Sequence, residues 1–141
     1  MDIADLVTFA RSTKWAVEAS VAADGRPQAA VIGVAVTDRL ELVFDTMGDT
    51  RKAENLRRDP RVAVVLGWDD GQTLQIDGVA DEPTGAELAE LKKVYFARFP
   101  DGPEREGWPG IAYFRVRPRW ARHSDFRGAT PVIHTLELAP R

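Results

Sequence analysis

The chain contains no cysteine among its 141 residues. Disulfides, thiolate nucleophiles and zinc–thiolate centres are thereby excluded, and the composition suits a reducing cytoplasm. Histidine is nearly as scarce. His123 and His134 are the only two, and no carboxylate cluster accompanies them, so no metal site is expected. No Gly-x-Ser-x-Gly element marks a hydrolase nucleophile, and no Gly-x-Gly-x-x-Gly element marks a dinucleotide fold. The longest apolar run, Ala29 to Val36, is far too short to span a bilayer, so no membrane is expected as a partner. The start, Met1-Asp2-Ile3-Ala4-Asp5, lacks the basic region of a secretory signal. A net charge of −3 argues against nucleic acid as the main partner.

What is present is the material of one soluble domain over residues 1–141. Hydrophobic residues make up 44% and charged residues 29%, enough for a real core and too balanced for disorder. Residues 3 to 12 read as a helix, with Ile3, Leu6, Val7 and Ala10 on one face. From Trp15 to Ala22, Val17, Ala19 and Val21 alternate with Glu18 and Ser20, as in a strand. Asp24-Gly25-Arg26-Pro27 is a turn, Ala29 to Val36 a buried strand, and Leu40 to Asp45 a strand in which Leu40, Leu42 and Phe44 share a face. A short helix over 50 to 58 follows, then a strand from Arg61 to Trp68 and a hairpin at Asp69-Asp70-Gly71 into Gln72 to Ala80. Pro83 opens a helix to about Phe99, carrying a stripe of Leu88, Leu91 and Tyr95. Residues 100 to 109 form a Pro/Gly-rich loop, Gly110 to Trp120 a strand extending to Phe126, and the remainder a loosely patterned tail. The connections between strands are too short for parallel crossovers, so the sheet is expected to be antiparallel and closed into a small barrel.

One stretch carries chemistry. Thr50 is a plausible N-cap for the short helix, and Pro60 stops it. Arg51 and Lys52 then occupy its first turn, where the helix dipole disfavours each cation by a few tenths of a kcal/mol, up to ~1. A bound anion reverses that sign. Free backbone N–H groups, the hydroxyls of Thr46 and Thr50 and the two cations then converge on a phosphate-sized site. The alternative is an ordinary solvated helix face.

The ordered set Asp24-Gly25-Arg26-Pro27, Phe44-Asp45-Thr46, Thr50-Arg51-Lys52-Ala53 and Asp59-Pro60-Arg61-Val62, with Trp68 and Val116-Arg117-Pro118, resembles the pyridoxamine 5′-phosphate oxidase-like proteins, the FMN-binding split barrels. The likeness covers roughly residues 5 to 126. It implies a six-stranded antiparallel split barrel with flanking helices, a homodimer, and an FMN in each of two clefts at the dimer interface. It also implies that Thr46, Thr50, Arg51 and Lys52 hold the flavin phosphate. Some small members of that family bind a deazaflavin coenzyme or haem instead. The chain departs from the vitamin-pathway oxidases in three places. Its strand over Ala30 to Ala35 has no basic residue, Asp45 stands where they have Tyr, and Arg122-His123 is adjacent where they have a spaced Arg-x-His element.

Several side chains remain open to two readings. Gln72 is either a hydrogen-bonding partner for a flavin edge or an exposed strand residue. Trp120 is either a wall for the flavin ring or a core or interface tryptophan. On the strand Ala112 to Trp120, period-2 alternation puts Ala112, Phe114, Val116, Pro118 and Trp120 on one face and Arg115, Arg117 and Arg119 on a solvated basic face. That basic face is alternatively a site for an anionic ligand or an acidic patch on a partner subunit. Asp45 is either a general base or a cap for the connection. No catalytic residue is assigned. The expected function is FMN-dependent transfer of hydride or electrons to a small organic substrate. A deazaflavin-dependent reductase and a non-catalytic flavin or haem binder are the alternatives.

Overall fold

The computed structural model describes residues 1–138, so the last three residues of the expected 1–141 domain lie outside the described residues. Helix α1 (Ile3–Ala10) begins with a reciprocal cap. The Asp5 N–H donates to the Asp2 carboxylate and the Asp2 N–H to the Asp5 carboxylate, each at 2.9 Å. Its face of Leu6, Val7 and Ala10 is buried.

Eight strands follow: β1 (Trp15–Val21), β2 (Pro27–Gly33), β3 (Ala35–Val36), β4 (Leu42–Met47), β5 (Arg61–Leu66), β6 (Gln72–Asp81), β7 (Ile111–Asp125) and β8 (Val132–Glu137). The helices between them are α2 (Arg51–Arg58), α3 (Gly85–Arg98) and the short α4 (Gly102–Arg105), the last lying within the stretch expected to be loop. Every strand pair is antiparallel, in the order β2-β1-β5-β6-β7-β4-β3, with β8 added to β7.

The two ends of that order are consecutive in the chain. β2 and β3 are halves of the one strand expected over Ala29 to Val36, interrupted only at Val34. There the Val34 N–H donates to the Lys14 carbonyl at 2.9 Å instead of to a neighbouring strand. Counted as one bent strand, they complete a six-stranded curled barrel, and β8 is an addition to it. The interior holds Leu40, Leu42, Leu66, Leu74 and Ile76, fully buried, around Phe44 stacked on Phe114 at 5.6 Å. Each such side chain stabilises the fold by about 1.5–3 kcal/mol. Leu40 is not part of the strand; it sits in the preceding turn with φ 63°.

Three features of the packing were not legible in the sequence. The first is β1, whose inward residues are Ala16, Glu18 and Ser20, whereas Val17, Ala19 and Val21 face outward. The second is the upper half of β7. A bulge sets Asp77 opposite Trp120 but Gly78 opposite Pro118, leaving Arg119 as the extra residue. One extra residue flips the side-chain parity, so Ala112, Phe114 and Val116 point inward, but beyond the bulge Ala121 does and Trp120 does not. Gly78 permits the close approach at this point, where a Cβ would lie 2.3 Å from the Arg117 carbonyl oxygen. The third is Arg115, expected on a solvated face but only 7% exposed, with Asp81 at 2.6 Å and Glu87 at 3.0 Å.

The outer face of the barrel is covered on one side only. Helix α3 lays Leu91 and Tyr95 over Ala35, Val43 and Tyr113. On the opposite side, no helix among the described residues covers the outward face of β2–β1–β5, and Trp15 and Val31 there are 56% and 63% exposed.

Candidate cofactor-phosphate site

The site is built where β4 gives way to α2. The Gly48 N–H donates to the Gly110 carbonyl at 2.7 Å, and the Gly48 carbonyl accepts from Arg57 Nη1 at 2.6 Å, so the turn is fixed from both sides. Arg57 also makes a two-pronged ion pair with Glu82, at 2.8 and 2.7 Å. Thr50 caps the helix, its Oγ1 accepting from the Ala53 N–H at 3.4 Å and donating to the Met47 carbonyl at 2.9 Å. Thr46 Oγ1, on the inward face of β4, lies 3.1 Å from Thr50 Oγ1. The first intrahelical donor is the Glu54 N–H, bonded to the Thr50 carbonyl at 3.1 Å. The N–H groups of Arg51 and Lys52 precede it and have no acceptor within the helix.

Arg51, Lys52, Thr50 and Asp49 line one wall of a cavity of about 620 Å³, and Glu18 and Ser20 of β1 with Gln28 of β2 line the other. Asn55 Nδ2 ties the walls together by donating to Ser20 Oγ at 3.2 Å. The Gln28 oxygen accepts from Asn55 Nδ2 at 2.7 Å or, with the amide turned over, from Arg51 Nε at 3.0 Å. Glu18 is 1% exposed, and its Oε2 has no partner. Burial pushes its carboxyl above the ordinary value of 4.5, with Lys52 and Ser20 pulling the other way. The donor set fits a phosphate ester: two hydroxyls, two free N–H groups, a guanidinium and an ammonium. Two carboxylates of opposite character line it as well, Asp49 on the exposed turn and Glu18, which is buried.

Of the expected site residues, Thr46, Thr50, Arg51 and Lys52 come together. Gln72 and Trp120 do not join them within this chain. Gln72 pairs with Asp125 at the end of the β5–β6 ladder away from α2, and its Oε1 lies 3.0 Å from His123 Nε2. Trp120 lies beneath the Arg122 guanidinium, 5.0 Å from the ring centre, on the outward side that the bulge gives it. Asp45 also faces away from the cavity. Its oxygens accept from Tyr95 Oη at 2.9 Å and Arg105 Nε at 2.8 Å, so it ties α3 and α4 to β4. His123 is buried against the edge of Phe9, and burial lowers its pKa. Among the described residues no group of three or more His, Asp or Glu is placed to hold a metal ion. No helix there is long and apolar enough to cross a membrane.

Sequence reasoning missed Glu18, Ser20 and Gln28 as lining residues. Alternation marks two faces of β1 but does not say which is inside.

Comparison with known proteins decides the lineage. Residues 4–125 match the family model described as pyridoxamine 5′-phosphate oxidase. The chain belongs to the pyridoxamine 5′-phosphate oxidase family. A curated member, the pyridoxine/pyridoxamine 5′-phosphate oxidase of Cupriavidus metallidurans, is 28% identical over 113 residues. That alignment covers 77% of this chain but 51% of the relative, so the chain spans about half the length of the curated relative it matches. Among solved structures of this fold, a heme binding protein from Mycobacterium smegmatis superposes with a TM-score of 0.83 at 18% identity, over 96% of this chain and 57% of that one. A pyridoxamine 5′-phosphate oxidase-related, FMN binding protein from Nostoc punctiforme superposes with a TM-score of 0.68 at 15% identity, over 98% of this chain and 95% of that one. At such identities the superpositions establish the split-barrel fold; the cofactor is a separate question for each family member.

Proposed function

We propose that this chain is an FMN-binding oxidoreductase, working as a homodimer, that passes hydride or electrons between the flavin and a small organic substrate. The observation that carries the reading is the convergence of Thr50, Arg51 and Lys52 at the start of α2 on one wall of the cavity, with Thr46 behind them against Thr50. The family membership and the FMN-binding relative of the same fold support flavin as the occupant. When bound, FMN supplies the redox chemistry. The chain's own residues hold and orient it. The N–H groups of Arg51 and Lys52 donate to phosphate oxygens, Thr50 joins them by turning its hydroxyl away from the Met47 carbonyl with Thr46 supporting it from behind, and the two cations neutralise the phosphate. The dimer is supported by the uncovered apolar face of β2–β1–β5, where Val17, Val31 and Val65 meet side by side across the register.

A second reading, a protein that holds flavin or haem without turning a substrate over, draws on Asp45. The carboxylate beside Thr46 is committed to Tyr95 and Arg105 and is not open to a substrate. The visible spectrum of the purified protein, followed by titration with FMN, riboflavin, a deazaflavin coenzyme and haem, tests both. FMN binding far more tightly than riboflavin, with bleaching by a reductant and recovery with an acceptor, supports the oxidoreductase. Haem or deazaflavin binding in preference to FMN overturns it.

A further inference from the structure

The phosphate cavity contains a group that a simple anion site does not need. Glu18 projects inward from the middle of β1, between Ala30 of β2 and Val64 of β5, neither of which is charged. The charged groups that line the cavity with it come from α2 and the turn before it: Lys52 and Arg51 on the helix, and Asp49. Arg58 is already committed to the Val21 carbonyl at 2.9 Å and Asn55 Oδ1 at 2.9 Å. Lys52 shares the cavity with, and favours the charged form of, a carboxylate that is 1% exposed and has one oxygen without a partner.

A phosphate ester entering beside Lys52 changes this balance. Lys52 acquires a second anion nearby, and the buried Glu18 becomes a like charge facing that anion across the cavity. We propose that Glu18 takes up one proton when a phosphate ester binds, so that the phosphate replaces the carboxylate as the anion stabilised by Lys52. The proton comes from solvent and is held at Oε2; no bond in the ligand is made or broken. The proposal rests on reading the cavity as the phosphate site of the cofactor.

The direction of the linkage follows. Bound anion raises the affinity of Glu18 for its proton, so below the pKa of the free site the carboxyl is already neutral and binding takes up nothing. Between the free and bound pKa values one proton is taken up, and affinity falls tenfold for each rise of one in pH. The ligand's own phosphate ionises near pH ~6 and pulls the profile the other way, which makes the Glu18→Gln variant the necessary reference.

The test is calorimetric titration of FMN into the full-length protein over about pH 6 to 9, in buffers of different ionisation enthalpy, which counts protons directly. The expected result is net uptake approaching one proton per FMN in part of this range, and none with riboflavin, which lacks the phosphate. E18Q shows no such uptake and binds FMN about tenfold or more tightly than the wild type at the alkaline end. Infrared difference spectra of the wild type give an independent reading, because a carboxylic-acid carbonyl band appears on FMN binding. If E18Q does not fold, those spectra and the wild-type proton count decide the matter alone. Binding of FMN with no proton uptake and no acid band overturns this proposal while leaving the phosphate site intact. Equal uptake in the wild type and E18Q also overturns it. Absence of FMN binding at every pH overturns the phosphate reading and this proposal together.

Discussion

Replacing Arg51 or Lys52 by alanine is expected to weaken FMN binding with little effect on folding, and the structure gives both halves of that expectation a magnitude. Each cation stands in the first turn of α2, so in the absence of ligand it opposes the helix dipole. Its removal relieves a penalty of a few tenths of a kcal/mol, up to ~1. For Lys52 the relief is offset by the loss of a cation that favours the charged form of Glu18, which can take up a proton in response. The net change in stability is therefore about 1 kcal/mol or less, and of either sign. Binding behaves differently. Each substitution deletes one charge-assisted hydrogen bond to phosphate, costing about 1.5–3 kcal/mol, or a weakening of roughly 10- to 150-fold. Riboflavin affinity stays nearly level, because the lost group addresses only the phosphate. Flavin fluorescence titration of both variants, beside urea denaturation without ligand, measures the two halves separately. FMN affinity unchanged in both variants would show that α2 merely presents a solvated face. A large loss of stability would show that the cations serve the fold.

The remaining predictions address the rest of the molecule. Val31→Asp, at a position 63% exposed on the uncovered face, is expected to turn a dimer into a monomer in sedimentation; a wild type that is monomeric at micromolar concentration with cofactor bound refutes the interface. Gly78→Ala forces a Cβ to within 2.3 Å of the Arg117 carbonyl, and should lower stability by about 1–3 kcal/mol in urea; an unshifted midpoint shows that the bulge relaxes freely. Because the folded protein holds the Glu18 proton more tightly than the unfolded chain, ligand-free stability should fall as pH rises from 4.5 through the raised pKa, and E18Q should lack that component of the slope. Pyridoxamine 5′-phosphate should be a poor substrate in air: Arg122 faces outward over Trp120 while His123 is buried, so these neighbours cannot grip one ligand together, and turnover of about 1 s⁻¹ or more contradicts this.

The parts of the fold that the sequence revealed are those governed by near neighbours. The Thr50 cap, the charged first turn and the Pro60 stop are local signals, and α2 runs from Arg51 to Arg58 as expected. The hairpin turns and the stripe of Leu91 and Tyr95 were likewise visible. What was hidden depends on partners distant in the chain. Arg115 looked solvated because Glu41, Asp81 and Glu87 reach it only after folding. The parity flip in β7 depends on one extra residue against β6, which no alternation pattern announces. Strand β8 was missed because Val132, Ile133 and His134 remain exposed, so burial imposed no periodicity on them. Glu18 was the most consequential loss. Its strand has an apolar and a polar face, and the polar one lines the cavity while the apolar one faces out.

The pairing order has a consequence for how the chain must assemble. β4 and β6 do not pair with each other; both pair with β7. Before Ile111–Asp125 leaves the ribosome, the chain can therefore form only a four-stranded sheet, β2-β1-β5-β6, and a separate β3–β4 hairpin, joined through Val34. The facing edges of β6 and β4 stay open until then, with Leu42, Phe44 and Ile76 still to be enclosed. Closure of the ring is thus a late, long-range event with a large loop entropy, and folding is expected to be slow and most vulnerable to association just before it. The turn that leads into Thr50 is braced by the Gly110 carbonyl immediately before β7, so the phosphate site is among the last parts of the molecule to be fixed.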